Sequence, residues 1–162
     1  METILCIDPG TTKSGVVVLG DDKMVFEAES SYGNHDVLTR IRNSRFECDV
    51  MAIEMVASYG MAVGESVFET VLWIGIFMEA FGLDRCHKVY RKDIKMNLCG
   101  SMRAKDDNIR QALIDQYPAS GGGKVPQVGI KKQPGPLYGV SSHAFSALAV
   151  GHTFIDNRHV VR

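Results

Sequence analysis

Apolar, β-prone residues fill Thr3–Ile7, and Asp8-Pro9-Gly10 stops the run. A second such run is Ser14–Leu19. Gly20-Asp21-Asp22 then reads as a tight turn into a third, Met24–Ala28. This pattern predicts an antiparallel three-strand meander. After Asn34, Val37, Leu38 and Ile41 recur at helical spacing with Arg40 and Arg42 between them, which predicts a short amphipathic helix. Asp49–Glu54 is the next strand. Its apolar Val50, Ala52 and Ile53 suit a central parallel strand covered on both faces.

A loop with glycines and Ser58 follows. Val63–Phe81 then predicts a long apolar helix with Val67, Val71, Ile74 and Met78 along one face and Gly82 as its C-cap. Cys86–Tyr90 is a fifth strand, and Arg91–Leu98 a short basic helix closed by Gly100. Ala104–Tyr117 predicts an amphipathic helix with Ile109, Ala112 and Leu113 inward and Asp106, Asp107 and Arg110 outward. Pro118 ends it. Pro118–Gly139 is rich in glycine, has proline at 118, 126, 134 and 136, and carries Lys124, Lys131 and Lys132. It reads as a mobile basic loop. A final helix is expected over Ser142–Ile155, capped by Ser141 or Ser142, with Phe145, Leu148, Ala149 and Val150 on its apolar side. The order β-β-β-α-β-α-β-α-α-α predicts an α/β fold with a mixed sheet. No repeat or linker divides residues 1–162, so one domain is expected.

Composition narrows the class. The chain is 45% hydrophobic and 23% charged, which excludes a disordered chain. Glu69 and Glu79 interrupt the most apolar stretch, Val67–Leu83, so no membrane span is expected. Met1-Glu2-Thr3 lacks the basic start and apolar run of a signal peptide. Cys6, Cys48, Cys86 and Cys99 form no CxxC pair, which fits free thiols in a reducing cytoplasm. The net charge of −1 hides an asymmetry: residues 1–84 hold 5 Lys/Arg and 14 Asp/Glu, whereas residues 85–132 hold 11 and 4. A basic segment beside an acidic half suits either a polyanion-binding surface next to a cation-binding centre or two solvated faces of opposite sign.

The candidate chemistry lies at strand ends. Asp8 ends the first strand and Glu54 the fourth. If those strands are neighbours, both carboxylates leave the same end of the sheet, an arrangement that hard divalent cations need. Glu54 also closes an apolar run, where an unpaired buried charge is costly. His143 and Ser146 share one face at the start of the last helix, three residues apart.

In these residues the chain resembles the RuvC-type Holliday junction resolvases of the RNase H-like superfamily, and looks closest to their viral, phage branch. Ile7-Asp8-Pro9-Gly10-Thr11-Thr12 resembles the first-strand motif and Ile53-Glu54 the fourth-strand motif. Arg91-Lys92-Asp93-Ile94-Lys95 with Ala104-Lys105 resembles the family's basic segment, and Ser146-Ala147-Leu148-Ala149-Val150 its final helix. The resemblance implies a five-stranded mixed sheet flanked by helices, and a metal-dependent endonuclease that cuts branched double-stranded DNA such as four-way junctions or forks during recombination or viral DNA processing. It implies two ions, Mg²⁺ or Mn²⁺, held by Asp8, Glu54 and His143, with Lys105 neutralising charge at the phosphate. Arg91, Lys92, Lys95, Arg103, Lys131 and Lys132 would contact phosphates. Tyr59 resembles the position from which the family inserts an aromatic at the branch point. A two-fold homodimer through the helix Val63–Phe81 would match a two-fold junction.

Ser146 departs from the family, which places a second acidic ligand there. Asp156 lies thirteen residues beyond His143, roughly 20 Å along the helix, and cannot replace it. Asp106, Asp107 and Glu65 are candidates if the fold brings them in. Histidine accepts Mn²⁺ more readily than Mg²⁺, so Mn²⁺ is expected to serve at least as well. Two alternatives stay open. One is a catalytically silent junction-binding protein. The other is an actin- or sugar-kinase-like ATPase, whose first phosphate loop Asp8-Pro9-Gly10-Thr11-Thr12 also resembles.

Overall fold

The computed structural model describes residues 1–158. Its strands are β1 (Thr3–Asp8), β2 (Lys13–Gly20), β3 (Val25–Gly33), β4 (Val50–Met55) and β5 (Cys86–Tyr90). They form one sheet in the order β3-β2-β1-β4-β5. β1–β2 and β2–β3 pair antiparallel, and β4 pairs parallel with both β1 and β5. The helices are α1 (Asn34–Arg42), α2 (Glu65–Phe81), α3 (Arg91–Cys99), α4 (Asp106–Ile114) and α5 (Ser142–Asn157). A single 3₁₀ turn, Leu83–Arg85, joins α2 to β5. The meander and the buried central strand are therefore as expected.

Side chains alternate across the sheet with a period of two, and each face builds its own core. Leu5, Ile7, Val16, Val18, Met51 and Ile53 face α1 and α2. Ile4, Cys6, Val17, Leu19 and Ala52 face α3, α4 and α5. Asp8 and Glu54 continue the second set, because each lies two residues beyond a member of it (Cys6 and Ala52). Their side chains thus leave the sheet on the α5 side. α5 lies close against that face: a Cβ on Gly151 would meet Cys6 Sγ at 2.5 Å. Its far end is tied down by Lys23, which pairs with Asp156 at 2.7 Å. His152, fully buried, shares a 2.7 Å hydrogen bond with the Tyr117 hydroxyl, which donates to the Lys23 carbonyl at 2.8 Å.

Three expectations are corrected. β3 runs to Gly33 instead of ending at Ala28. Its second half is polar and hides the strand from a hydrophobicity pattern, yet β2 still offers it partners, Ser14 pairing with Tyr32 and Lys13 with Gly33. α2 buries Thr70, Ile74, Phe77 and Phe81, with Met78 packed beside them, so of the expected stripe Val67-Val71-Ile74-Met78 only the second half docks, while Val67 is half-buried and Val71 exposed. The helix is apolar on most sides, so its sequence does not single out the face that docks.

Pro118–Gly139 is the third correction, since it folds around a hairpin, β6 (Gly129–Ile130) and β7 (Gln133–Pro134). Gly121 N–H donates to the Pro126 carbonyl at 2.8 Å, and Leu137 N–H to that of Gln127 at 2.8 Å. The glycines serve backbone-to-backbone packing here: a Cβ on Gly129 would lie 2.3 Å from Gly135 N. Leu137 and Val140 anchor the segment in the core. Among the described residues no helix is long and apolar enough to cross a membrane.

Candidate functional site

The site begins at the ends of β1 and β4. These strands pair with Ile7 opposite Ile53, so the next pair in that register is Asp8 and Glu54. The loop after Asp8 is pinned from inside. Buried Ser14 donates to Asn34 Oδ1 at 2.7 Å, and Asn34 Nδ2 donates to the Gly10 carbonyl at 2.9 Å. Gly10 N–H in turn donates to Ser14 Oγ at 3.3 Å. Gly10 is required there, since a Cβ would fall 2.2 Å from the Lys13 carbonyl oxygen.

The third side chain comes from α5. Ser141 is its N-cap, with no hydrogen bond from its side chain, and the His143 N–H donates instead to Ser30 Oγ of β3 at 3.2 Å. Gly15 lies opposite Asp8 on β2. A Cβ there would meet the His143 carbonyl oxygen at 2.2 Å, so the missing side chain is what lets the first turn of α5 reach the sheet. His143 Nδ1 then lies 3.2 Å from Asp8 Oδ2. With Asp8 ionised, Nδ1–H donates and Nε2 keeps its lone pair for another partner.

Around this pair opens a cleft of about 360 Å³. Its walls come from the N-terminal turns of three helices: Arg91 of α3, Asp106, Asp107 and Arg110 of α4, and Ser142, His143 and Ser146 of α5. Helix N-termini carry free N–H groups and partial positive charge, which suits an anion such as phosphate. Arg110 also covers the Phe145 ring at 4.6 Å. Arg91 Nε lies 3.5 Å from Glu54 Oε1, and its Nη2 lies 3.4 Å from Asp106 Oδ1.

Burial dominates the electrostatics. The Asp8 and Glu54 side chains are each 15% exposed. Desolvation raises the Asp8 carboxyl above the usual carboxylate range, opposed by the hydrogen bond from His143. Desolvation pushes Glu54 up to about 7, with Arg91 opposing and the charges of Asp8 and Asp106 adding. Among the described residues no three His, Cys, Asp or Glu side chains gather closely enough to share one ion, and Glu54 is paired with Arg91. The donors still suit a hard divalent cation. They are two largely desolvated carboxylates and an imidazole, and a nearby cation favours the ionised form that burial disfavours.

A stability prediction follows from Glu54. Its folded form holds a proton up to about pH 7, against 4.5 for the ordinary group. Metal-free protein should therefore lose stability as pH rises from about 4.5 through 7, by on the order of 3 kcal/mol from this group. Thermal melts in chelator from pH 5 to 8 check it: Glu54→Gln should flatten the wild-type decline. A wild-type slope that Glu54→Gln leaves unchanged would refute the assignment.

The other expected site residues are spread more widely. Lys105 is the N-cap of α4, exposed, with its N–H donating to Asn108 Oδ1 at 2.9 Å, and it is not part of the cleft wall. Lys92 and Arg103 are exposed and Lys95 is half-buried. Lys131 and Lys132 form the two-residue turn of the β6–β7 hairpin. Tyr59 is 60% exposed, with φ +50°, in the loop between β4 and α2. Asp106 and Asp107 do enter the cleft, while Glu65 is not part of its wall. Gly15 and the cleft side of Arg110 were not foreseen from the sequence, and Ser142, foreseen as a cap, also lines the cleft. A glycine inside an apolar strand run was the available signal for the first.

No family model and no curated protein matches the sequence. Solved structures do. RuvC of T. thermophilus in complex with a Holliday junction substrate superposes with a TM-score of 0.66 at 18% identity, over 94% of this chain and 92% of that one. A second structure of Thermus thermophilus RuvC gives 0.66 at 16% identity, over 96% and 95%. The five-stranded mixed sheet with helices on both faces is thus the RuvC-like, RNase H-like fold.

Proposed function

We propose that this chain is a metal-dependent, structure-selective endonuclease that cuts branched DNA such as four-way junctions, in recombination or viral DNA processing. It would work as a homodimer in a cytoplasm, that of the host for a viral protein. One observation carries the reading: Asp8 and Glu54 end adjacent parallel strands, and Asp8 meets the His143 imidazole in a cleft walled by three helix N-termini, within a fold shared with a junction-bound RuvC.

Asp8, Glu54 and His143 would hold Mg²⁺ or Mn²⁺. When bound, such ions supply an activated water and Lewis-acid stabilisation of the leaving oxygen in phosphodiester hydrolysis. The chain's own residues do the rest. Asp8 orients His143 through Nδ1, which leaves Nε2 available. Arg110 adds a cation at the cleft wall, where it can meet a phosphate oxygen. Water adds to phosphorus and gives up a proton to solvent as one P–O bond breaks, and the departing oxygen takes a proton from solvent at the cleft.

A labelled four-way junction, a fork and a linear duplex, each incubated with Mg²⁺, Mn²⁺ or chelator, test the proposal. Metal-dependent cleavage of branched species over duplex supports it, and metal-independent or duplex-preferring cleavage refutes it. Ser146 favours a second reading, a junction-binding protein without cleavage, because it leaves serine where a carboxylate would line the cleft. Junction retention without cleavage under any metal would select that reading.

The lysine pair at the hairpin tip gives a separate prediction. Lys131→Ala with Lys132→Ala should weaken binding to branched and linear DNA alike. The slope of log affinity on log salt should flatten by about one unit per lost phosphate contact. An unchanged slope in a fluorescence-anisotropy titration would remove this hairpin from the DNA surface.

α2 gives another. It leaves Phe68 64% and Leu72 56% exposed, and Leu72 lines a groove with Val71, Gly75 and Ile76 that Arg42 and Glu79 flank. An apolar face of this kind suits a second copy of the chain. Leu72→Asp should convert a sedimenting dimer to monomer and leave the fold intact by circular dichroism. A wild-type chain that sediments as monomer would refute the dimer.

A further inference from the structure

Arg91 is the first residue of α3, where the helix dipole disfavours a cation. Its side chain turns back into the cleft and spans two elements, Glu54 of β4 and Asp106 of α4. Lys92 and Lys95 share its helix and have no such pairing among the described residues. A guanidinium thus occupies the position of a counter-ion beside Glu54, one of the carboxylates a divalent metal would need.

We propose that Arg91 is a resident counter-cation that competes with divalent metal for Glu54 and is handed to a DNA phosphate when metal loads. The inference rests on the metal-nuclease reading above and adds to it an order of events. In the free protein the guanidinium keeps Glu54 and Asp106 from facing each other unscreened. A metal that takes Glu54 releases Arg91 at the cleft mouth, where an incoming phosphate can receive it bidentately. A phosphate that takes Arg91 leaves Glu54 free for metal. Each ligand therefore favours the other, and by linkage the coupling is the same in both directions. Arg91 acts through Glu54 and is a positioning residue.

Mn²⁺ titration of the DNA-free, full-length protein tests the proposal, read as loss of the free-ion paramagnetic resonance signal. Arg91→Gln should bind Mn²⁺ about fivefold to tenfold tighter than wild type, because a competing charge is gone. Arg91→Lys restores the charge at the same helix position and should return the affinity to within about threefold of wild type. Asp8→Asn should weaken binding. If Arg91→Gln binds equally or more weakly while Asp8→Asn still weakens binding, the competition is overturned and the metal site stands. If Arg91→Lys binds as tightly as Arg91→Gln, charge is not the cause and the proposal is equally overturned. If Asp8→Asn binds as wild type does, the metal site itself is wrong.

Discussion

Asp8→Asn and Glu54→Gln should each abolish strand cleavage and leave junction binding in place. Both changes keep the shape of the side chain and remove the charge that would hold a metal. Losing metal-based charge stabilisation of about 4 kcal/mol corresponds to roughly a thousandfold in rate. Both residues sit at the ends of buried, fully paired strands, so the backbone has no reason to move. On the proposed function, binding would rest on the basic residues, and removing a carboxylate also removes repulsion from phosphates, so affinity should hold or rise. The measurement is paired: single-turnover cleavage of a labelled junction with Mn²⁺, and gel-shift affinity in chelator. Turnover near wild type in either variant would refute the two-carboxylate site. Loss of binding together with cleavage would mean these residues support the fold.

Gly15→Ala should be the most damaging change at a residue that carries no functional group. The added Cβ would meet the His143 carbonyl oxygen, a backbone atom that cannot rotate aside. The first turn of α5 must lift from the sheet, which takes His143 away from Asp8. A displacement near 1 Å at a reacting geometry costs about a hundredfold in rate. Overpacking at one site costs about 1–3 kcal/mol in stability, so folded protein should remain available for assay. Gly151→Ala is the informative partner. Its Cβ would meet Cys6 Sγ and Leu19 Cδ2, which are side-chain atoms able to give, far from His143 along the same helix. It should lower the melting temperature with little effect on rate. If Gly15→Ala cleaves junctions as wild type does, the placement of His143 by this glycine is irrelevant to the chemistry.

The contrast between those two glycines marks what a sequence reveals and what it withholds. Asp8 and Glu54 were legible because each ends an apolar run, whereas the parallel pairing of β1 with β4, held only as a condition by the sequence, comes from the fold. His143 was legible only through its place in a motif. Arg91 was expected among phosphate contacts, and its pairing with Glu54 and Asp106 in the DNA-free chain was not foreseen. Asp106 and Asp107 were assigned to the outward face of their helix, and they are exposed. Only the packing of α4 against α5 shows that their outward face is the wall of a cleft. The docking face of α2 was hidden for the opposite reason, an excess of apolar residues. The hairpin in residues 118–139 was hidden because glycine and proline read as breaks in structure, whereas here they let backbones meet at distances no side chain would permit.

That glycine-built hairpin changes the entropy of whatever Lys131 and Lys132 bind. A free loop carrying two lysines would lose backbone freedom on meeting a polyanion, at about 1–2 kcal/mol for each residue fixed. Here the backbone ordering is completed during folding, through the bonds of Gly121, Gly122, Gly135 and Leu137. Only the lysine side chains remain to be ordered on contact. The two lysines spring from fixed backbone positions on a short turn, so inserting residues into 118–139 would cost affinity by restoring backbone freedom even with every lysine retained.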